Sequence, residues 1–186
     1  MKRIFDLTLL GVSLPFLGLL FITIAMFLRV STPGPLIFWS ERVGRNNRVF
    51  KMPKFRTMRV DTPLLATHLL ENPDQWITPV GSFLRKTSLD ELPQIWNIFL
   101  GEMSFVGPRP ALFNQHDLVA LRTSAGIHRL VPGVTGLAQI RGRDELPIRA
   151  KVQLDRLYLE KLSLLLDIKI LFLTFLTVLK RDGVSH

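Results

Sequence analysis

The sequence predicts an α+β protein, mostly helical, with a membrane-entering N-terminal segment over residues 1–30 and a globular domain over residues 31–186. Three observations carry this. Leu7 to Leu28 contains no charged residue. Ser31-Thr-Pro-Gly-Pro35 is a breaker cluster that ends the apolar element. Beyond it, one strand-turn-strand pattern is followed by short stretches of helical period. A chain of 186 residues fits one domain with a sizeable core. Its hydrophobic fraction of 47% calls for one membrane-associated segment rather than a multi-span bundle.

As a straight helix, Leu7–Leu28 would run about 33 Å, enough to cross a hydrocarbon core of roughly 30 Å. Pro15 removes a backbone donor and clashes with the preceding turn, and Ser13 can satisfy a freed carbonyl. The expectation is therefore a re-entrant helix-break-helix, with Ser13 and Pro15 at the break and with Lys2, Arg3 and Arg29 in one aqueous compartment. A spanning helix with its basic C-terminal flank in the cytoplasm obeys the positive-inside rule equally well. A cleaved signal peptide fits poorly, because the apolar run is long and lacks a small-residue cleavage site.

Leu36–Trp39 and Arg48–Met58 flank a polar turn containing Gly44, Asn46 and Asn47, which predicts a small β-hairpin. Pro53 places the second strand at a sheet edge. Asp61 with Pro63 and the leucines up to Leu70 predicts a capped helix ending near Asn72-Pro73. Thr78-Pro79 opens a short helix towards Lys86. From Ser88, Leu89, Leu92, Trp96 and Phe99 recur at helical spacing while Asp90, Gln94 and Asn97 line another face, and Gly101 stops the helix. Further helices are expected over Ala111–Arg122 and Ile148–Leu162, with a glycine-bearing loop, Pro132–Gly136 and Arg141–Arg143, between them. Leu164–Leu179 reads as an amphipathic helix at the membrane interface.

The chain has no cysteine, which excludes disulfides and thiolate chemistry, and its four histidines match no metal-binding spacing. The net charge of +9 is concentrated after the apolar segment: Arg29–Arg59 holds eight basic residues against Glu41 alone. A juxtamembrane basic stretch attracts anionic lipid, about 1 kcal/mol per charge near the surface. Membrane lipids are thus the expected partner and nucleic acid is not. G-x-S-x-G, Walker A, H-E-x-x-H and G-x-G-x-x-G motifs are absent from the sequence.

Asp90 and Glu91 are adjacent carboxylates at a helix start. Ser88-Leu-Asp-Glu91 also matches a capping box, which would account for Glu91 without chemistry. Pro93 leaves that turn irregular, and adjacent helical residues point about 100° apart, so one carboxylate could attack while the other binds metal or orients the site. Arg109, between Pro108 and Pro110, offers a planar donor fork suited to phosphate on a backbone of reduced freedom. Lys54, Arg56, Arg85, Lys86, Arg141 and Arg143 could add positive charge if the fold brings them together.

Lys2-Arg-Ile-Phe-Asp6, Ser31-Thr-Pro-Gly-Pro35, Lys54-Phe-Arg-Thr-Met58, Ser88-Leu-Asp-Glu-Leu-Pro93, Met103-Ser-Phe-Val-Gly-Pro-Arg-Pro110, Pro132-Gly-Val-Thr-Gly136 and Leu166-Asp-Ile-Lys169 follow one another in the order seen in the bacterial sugar transferases. The chain resembles the monotopic phosphoglycosyl transferases of that family over nearly its whole length. One departure is that Leu14 separates Ser13 from Pro15, which are adjacent in such proteins. The resemblance implies transfer of a sugar 1-phosphate from a UDP-sugar to polyprenyl phosphate, usually undecaprenyl phosphate, with release of UMP. It implies Asp90 as nucleophile, Glu91 as its partner and a Mg2+ requirement, with metal at Asp90. Lys54, Arg56, Arg85, Arg109 and Arg143 then become candidate phosphate or uridine contacts. The location implied is the cytoplasmic face of a bacterial inner membrane, and self-association is left open. Direct in-line attack by the lipid phosphate is the alternative chemistry. A non-catalytic basic scaffold is the alternative function.

Overall fold

The computed structural model describes residues 1–63, 73–142 and 146–180. Most of the expected helix over Asp61–Asn72, and Arg143 in the glycine-bearing loop, therefore lie outside the described residues.

The N-terminal element is a single helix, α1, spanning Lys2–Ser31. It runs through Pro15 as helix, where the sequence led us to expect a break. Proline in a helix interior costs about 3 kcal/mol, and in an apolar segment abandoning the surrounding hydrogen bonds would cost more. Hydroxyls on the same helix add bonds to its carbonyls, with Ser13 donating to Leu10, Thr23 to Leu19 and Ser31 to Phe27.

Only the two ends of α1 are buried. Asp6 and Leu10 are covered near its start and Ile24 and Leu28 near its end. Between them Val12, Phe16 and Leu19 are about 70% exposed (76%, 73% and 68%). Leu10 packs with Phe50, Met52, Ile98 and Met103, and Ile24 and Leu28 pack with Phe55 and Leu84. Phe50, Met52 and Phe55 belong to one strand, so both ends of the helix rest on the same body.

That strand is β2, Val49–Phe55, paired antiparallel with β1, Ile37–Val43, in register Ile37 to Phe55 and Val43 to Val49. The hairpin turns through Asn46 and Asn47, both at positive φ, a conformation asparagine tolerates better than most side chains. Ser104–Val106 forms β3, and Ala111–Leu112 forms a short strand, β4, on the free side of β1. The sheet order is β2-β1-β4, so Pro53 sits on an edge as expected. Residues 111 and 112 were expected to begin a helix. Pairing with Arg42 and Val43 draws them into the sheet instead.

Thr78 caps α2, Pro79–Lys86, by accepting from the Gly81 amide at 3.0 Å. The start of α2 presses onto the end of the β2 segment, where a Cβ on Gly81 would lie 2.0 Å from the Thr57 carbonyl. A 3-10 turn over Leu89–Gln94 leads into α3, Ile95–Leu100, closed by Gly101 at φ 84. The turn and helix put their polar side inward. Asp90, Gln94 and Asn97 are buried, while Trp96, Phe99 and Leu100 are about half exposed.

The remaining helices are α4 (His116–Ser124), α5 (Ile148–Glu160) and α6 (Leu164–Lys180). Gly133–Thr135, expected in a loop, forms β5, parallel to β3. Helix α6 buries Asp167 and Ile170 and exposes Leu165, Ile168, Phe172 and Phe175.

Candidate active site

Asp90 and Glu91 sit on the 3-10 turn between α2 and α3, packed against β2. The turn is entered by Ser88 in the left-handed region at φ 57, with no side-chain cap, so the expected capping box does not form. Glu91 is directed to cations instead. Lys54 Nζ donates to its Oε1 at 2.8 Å. Arg109 grips it with both ends of its fork, Nη2 to Oε1 at 2.7 Å and Nη1 to Oε2 at 3.3 Å.

Asp90 is held more loosely. Its nearest cation is Lys54, at 3.7 Å from Oδ2. Burial pushes its carboxyl above the usual value, and the pull of Lys54 is not enough to reverse this, with the Glu91 charge adding to the rise. For Glu91 burial acts the same way, but Arg109 and Lys54 outweigh it and hold the group well below the usual carboxylate range. The neighbouring acids therefore shift in opposite directions, Glu91 below and Asp90 above the ordinary carboxylate value.

Arg85 adds a cation that Asp90 senses. Its Nε donates to Thr57 Oγ1 at 2.9 Å, and burial lowers its pKa. Lys54, Arg85 and Arg109 thus converge on the carboxylate pair, a tertiary meeting that is invisible in the sequence. Arg56 goes elsewhere. Its guanidinium lies against Gly34, where a Cβ would come 3.2 Å from Nη1, and Nη1 is buried without a hydrogen-bond partner. Ser13 and Pro15 lie mid-helix in α1.

Several residues not anticipated from sequence fix Arg109. Its loop, Gly107-Pro-Arg-Pro110, is clamped to β5: Gly107 N–H donates to Thr135 at 2.8 Å and Gly133 N–H to Pro108 at 3.0 Å. The backbones approach so closely that a Cβ on Gly133 would lie 2.0 Å from Gly107 N, and one on Gly136 2.2 Å from Gly107 O. Behind the loop a cavity of about 30 Å³, lined by Arg109, Arg122 and His128 among others, has room for a water molecule.

The chain's outer motifs meet as well. Lys2 reaches Asp167 at 2.6 Å, and Tyr158 donates to the same carboxylate at 2.6 Å. Asp6 accepts from Ser104 Oγ at 3.0 Å and from the Phe105 amide at 3.3 Å. Arg3 caps the last carbonyls of α3, Ile98 and Phe99. The apolar helix α1 is thereby joined to α3, which follows directly on the turn that carries the acids.

The family description for bacterial sugar transferases matches residues 1–181. The chain belongs to the bacterial sugar transferase family. A UDP-glucose:undecaprenyl-phosphate glucose-1-phosphate transferase of Xanthomonas campestris pv. campestris is 42% identical over 96% of this chain and 38% of its own length. A UDP-galactose-lipid carrier transferase of Erwinia amylovora is 39% identical over 98% of this chain and 41% of its own. The chain thus spans about two-fifths of the length of those two relatives. The exopolysaccharide production protein ExoY of Rhizobium meliloti, 38% identical, is covered over 87% of its length, with 98% of this chain matched.

Proposed function

We propose that this chain is a phosphoglycosyl transferase that moves a sugar 1-phosphate from a UDP-sugar to polyprenyl phosphate through a covalent intermediate on Asp90. The observation that carries it is the inequality within the acid pair. Glu91 spends both oxygens on Arg109 and Lys54. Among the described residues Asp90 keeps only the 3.7 Å contact with Lys54, so its lone pairs are available. Relatives named for UDP-glucose, a UDP-galactose-lipid carrier and undecaprenyl phosphate support the substrate classes.

In the first step an Asp90 oxygen attacks the phosphorus that bears the sugar. The bond from that phosphorus to the bridging oxygen breaks, and UMP leaves with the electron pair. In the second step an oxygen of polyprenyl phosphate attacks the same phosphorus, breaking the aspartyl bond and restoring the carboxylate. The product is a polyprenyl diphosphosugar, the first membrane-bound species of a glycan assembly line. Dividing the transfer lets one modest site serve a soluble and a lipid substrate in turn. Lys54, Arg85 and Arg109 offset the repulsion between an anionic nucleophile and the diphosphate, and Glu91 keeps two of them oriented.

A magnesium requirement belongs to the same proposal. Among the described residues no three acidic or histidine side chains cluster, so Asp90 would be one protein ligand and diphosphate oxygens would fill other positions of a hard-cation shell. When bound, the ion would neutralise charge on the departing phosphate.

The same reading places the chain at the cytoplasmic face of the inner membrane. Both ends of α1 rest on one domain, which supports entry and exit on one face of the bilayer rather than a crossing. Its exposed middle, the Trp96–Phe99 edge of α3 and the apolar side of α6 would sit in or against lipid.

The test uses the full chain in lipid nanodiscs with a panel of UDP-sugars. Without acceptor, wild type should release UMP in an amount comparable to enzyme. With undecaprenyl phosphate it should turn over, and Asp90→Asn should do neither. Turnover persisting in Asp90→Asn would reject the nucleophile.

A further inference from the structure

We infer that Arg122, backed by Asp155, is a positioning residue that sets where the Arg109 guanidinium lies and, through it, the orientation of Glu91. This inference rests on the function proposed above. Arg122 is on α4 and Asp155 on α5, and neither belongs to the motif blocks. Arg122 donates Nε and Nη2 to Asp155 Oδ2, at 2.9 and 2.6 Å, in a buried pair with side chains 11% and 2% exposed. Its remaining arm, Nη1, donates to the backbone carbonyl of Arg109 at 2.7 Å.

A buried ion pair alone would say little, since such pairs often serve only the fold. The use of the third donor is what separates this one. Pro108 and Pro110 remove two backbone donors from the Arg109 loop, so the loop must be fixed mainly through its carbonyls. All three carbonyls after Gly107 are held: Pro108 by the Gly133 amide, Arg109 by Arg122 and Pro110 by Arg42 Nη1 at 3.3 Å. The Arg122 bond is the shortest of the three and falls on the residue whose side chain grips Glu91. Asp155 absorbs two donors of Arg122 and thereby fixes the direction of the third, which a lysine could not reproduce.

The test is a double-mutant cycle on the full chain, read as kcat/KM for the UDP-sugar that wild type uses, as single-turnover UMP release and as thermal unfolding. Arg122→Lys should lose about tenfold in kcat/KM while unfolding within a few degrees of wild type. In an Arg109→Ala background the same substitution should change kcat/KM by less than about twofold, because the residue it positions is gone. Equal losses in both backgrounds would show a purely structural pair and overturn the inference while leaving the proposed function intact. No loss in the wild-type background would overturn it too. If Arg122→Lys does not fold, Asp155→Asn, which keeps an acceptor but drops the charge, is read through the same cycle. Full activity of Arg109→Ala would remove the reading on which the inference depends. A wild type that uses no UDP-sugar would reject the proposed function itself.

Discussion

Asp90–Glu91 and Lys2–Asp167 both bring buried carboxylates to cations, yet they are arranged differently. Asp167 is saturated, taking Lys2 on one oxygen and the Tyr158 hydroxyl on the other. At the acid pair, Lys54 and Arg109 are committed to Glu91, and among the described residues Asp90 has only a distant share of Lys54. A saturated arrangement holds elements together. An incompletely paired acid beside several cations stores a charge that the fold alone does not need, which is the condition a nucleophile requires.

The comparison is tested most severely at Asp90. Asp90→Asn should cut transfer by about a thousandfold or more while unfolding at a higher temperature than wild type at neutral pH. The sign follows from the raised pKa: stability is fully present below the ordinary aspartate value and falls as pH rises towards the folded value. The stability gap between variant and wild type should therefore open above about pH 4 and be absent below it. A variant less stable than wild type at pH 7 would contradict the contrast.

Next in size is Gly133→Ala, whose added carbon must displace the Gly107 amide. Both activity and melting temperature should drop, by about 2–4 kcal/mol in stability. An unchanged protein would show that the Arg109 loop is not clamped as described.

Glu91→Gln should lower activity about tenfold to a hundredfold and, unlike Asp90→Asn, also lower stability, because it leaves Arg109 and Lys54 facing a neutral group. The Glu91 contribution is present above the ordinary glutamate pKa and is lost as pH falls towards its depressed value. Acid unfolding followed by circular dichroism should thus begin at higher pH when this residue is replaced.

The smallest effect on chemistry belongs to the saturated arrangement. Lys2→Met should lower the melting temperature by several degrees, about 1–2 kcal/mol, with kcat per folded molecule nearly unchanged. A large kcat loss with no melting shift would mean that the two regions are not functionally distinct.

What the sequence revealed tracks how local the cause is. The hairpin, the edge position of Pro53, the Thr78-Pro79 helix start and the Gly101 stop follow from chemistry within a few residues of one another. The candidate residues Asp90, Glu91 and Arg109 also stand out in the sequence, because each is unusual in its own neighbourhood. Their division of labour does not. Ser88 entering the turn left-handed and Glu91 reaching to Arg109 are tertiary outcomes that a capping-box pattern misdescribes. Gly133–Thr135 looked like loop because a three-residue strand exists only through its parallel partner. Arg122 and Asp155 carry no local signal; each is an ordinary charge on an ordinary helix until α4 and α5 meet. Arg56, one alternation from Lys54, is a cation that the fold turns towards Gly34.

The fastening of α1 at both extremities has a consequence for how lipid and nucleotide meet. With Lys2 and Arg3 tied at the start and Leu28 packed near the finish, this stretch cannot swing like a tether on a buoy. Once seated in a leaflet, the whole body would ride at one waterline, and the altitude of Asp90 over the acyl chains would be written into the fold. On the function proposed above, the isoprenoid would then arrive by gliding sideways within the sheet of lipid, while the nucleotide would drop in from the water above.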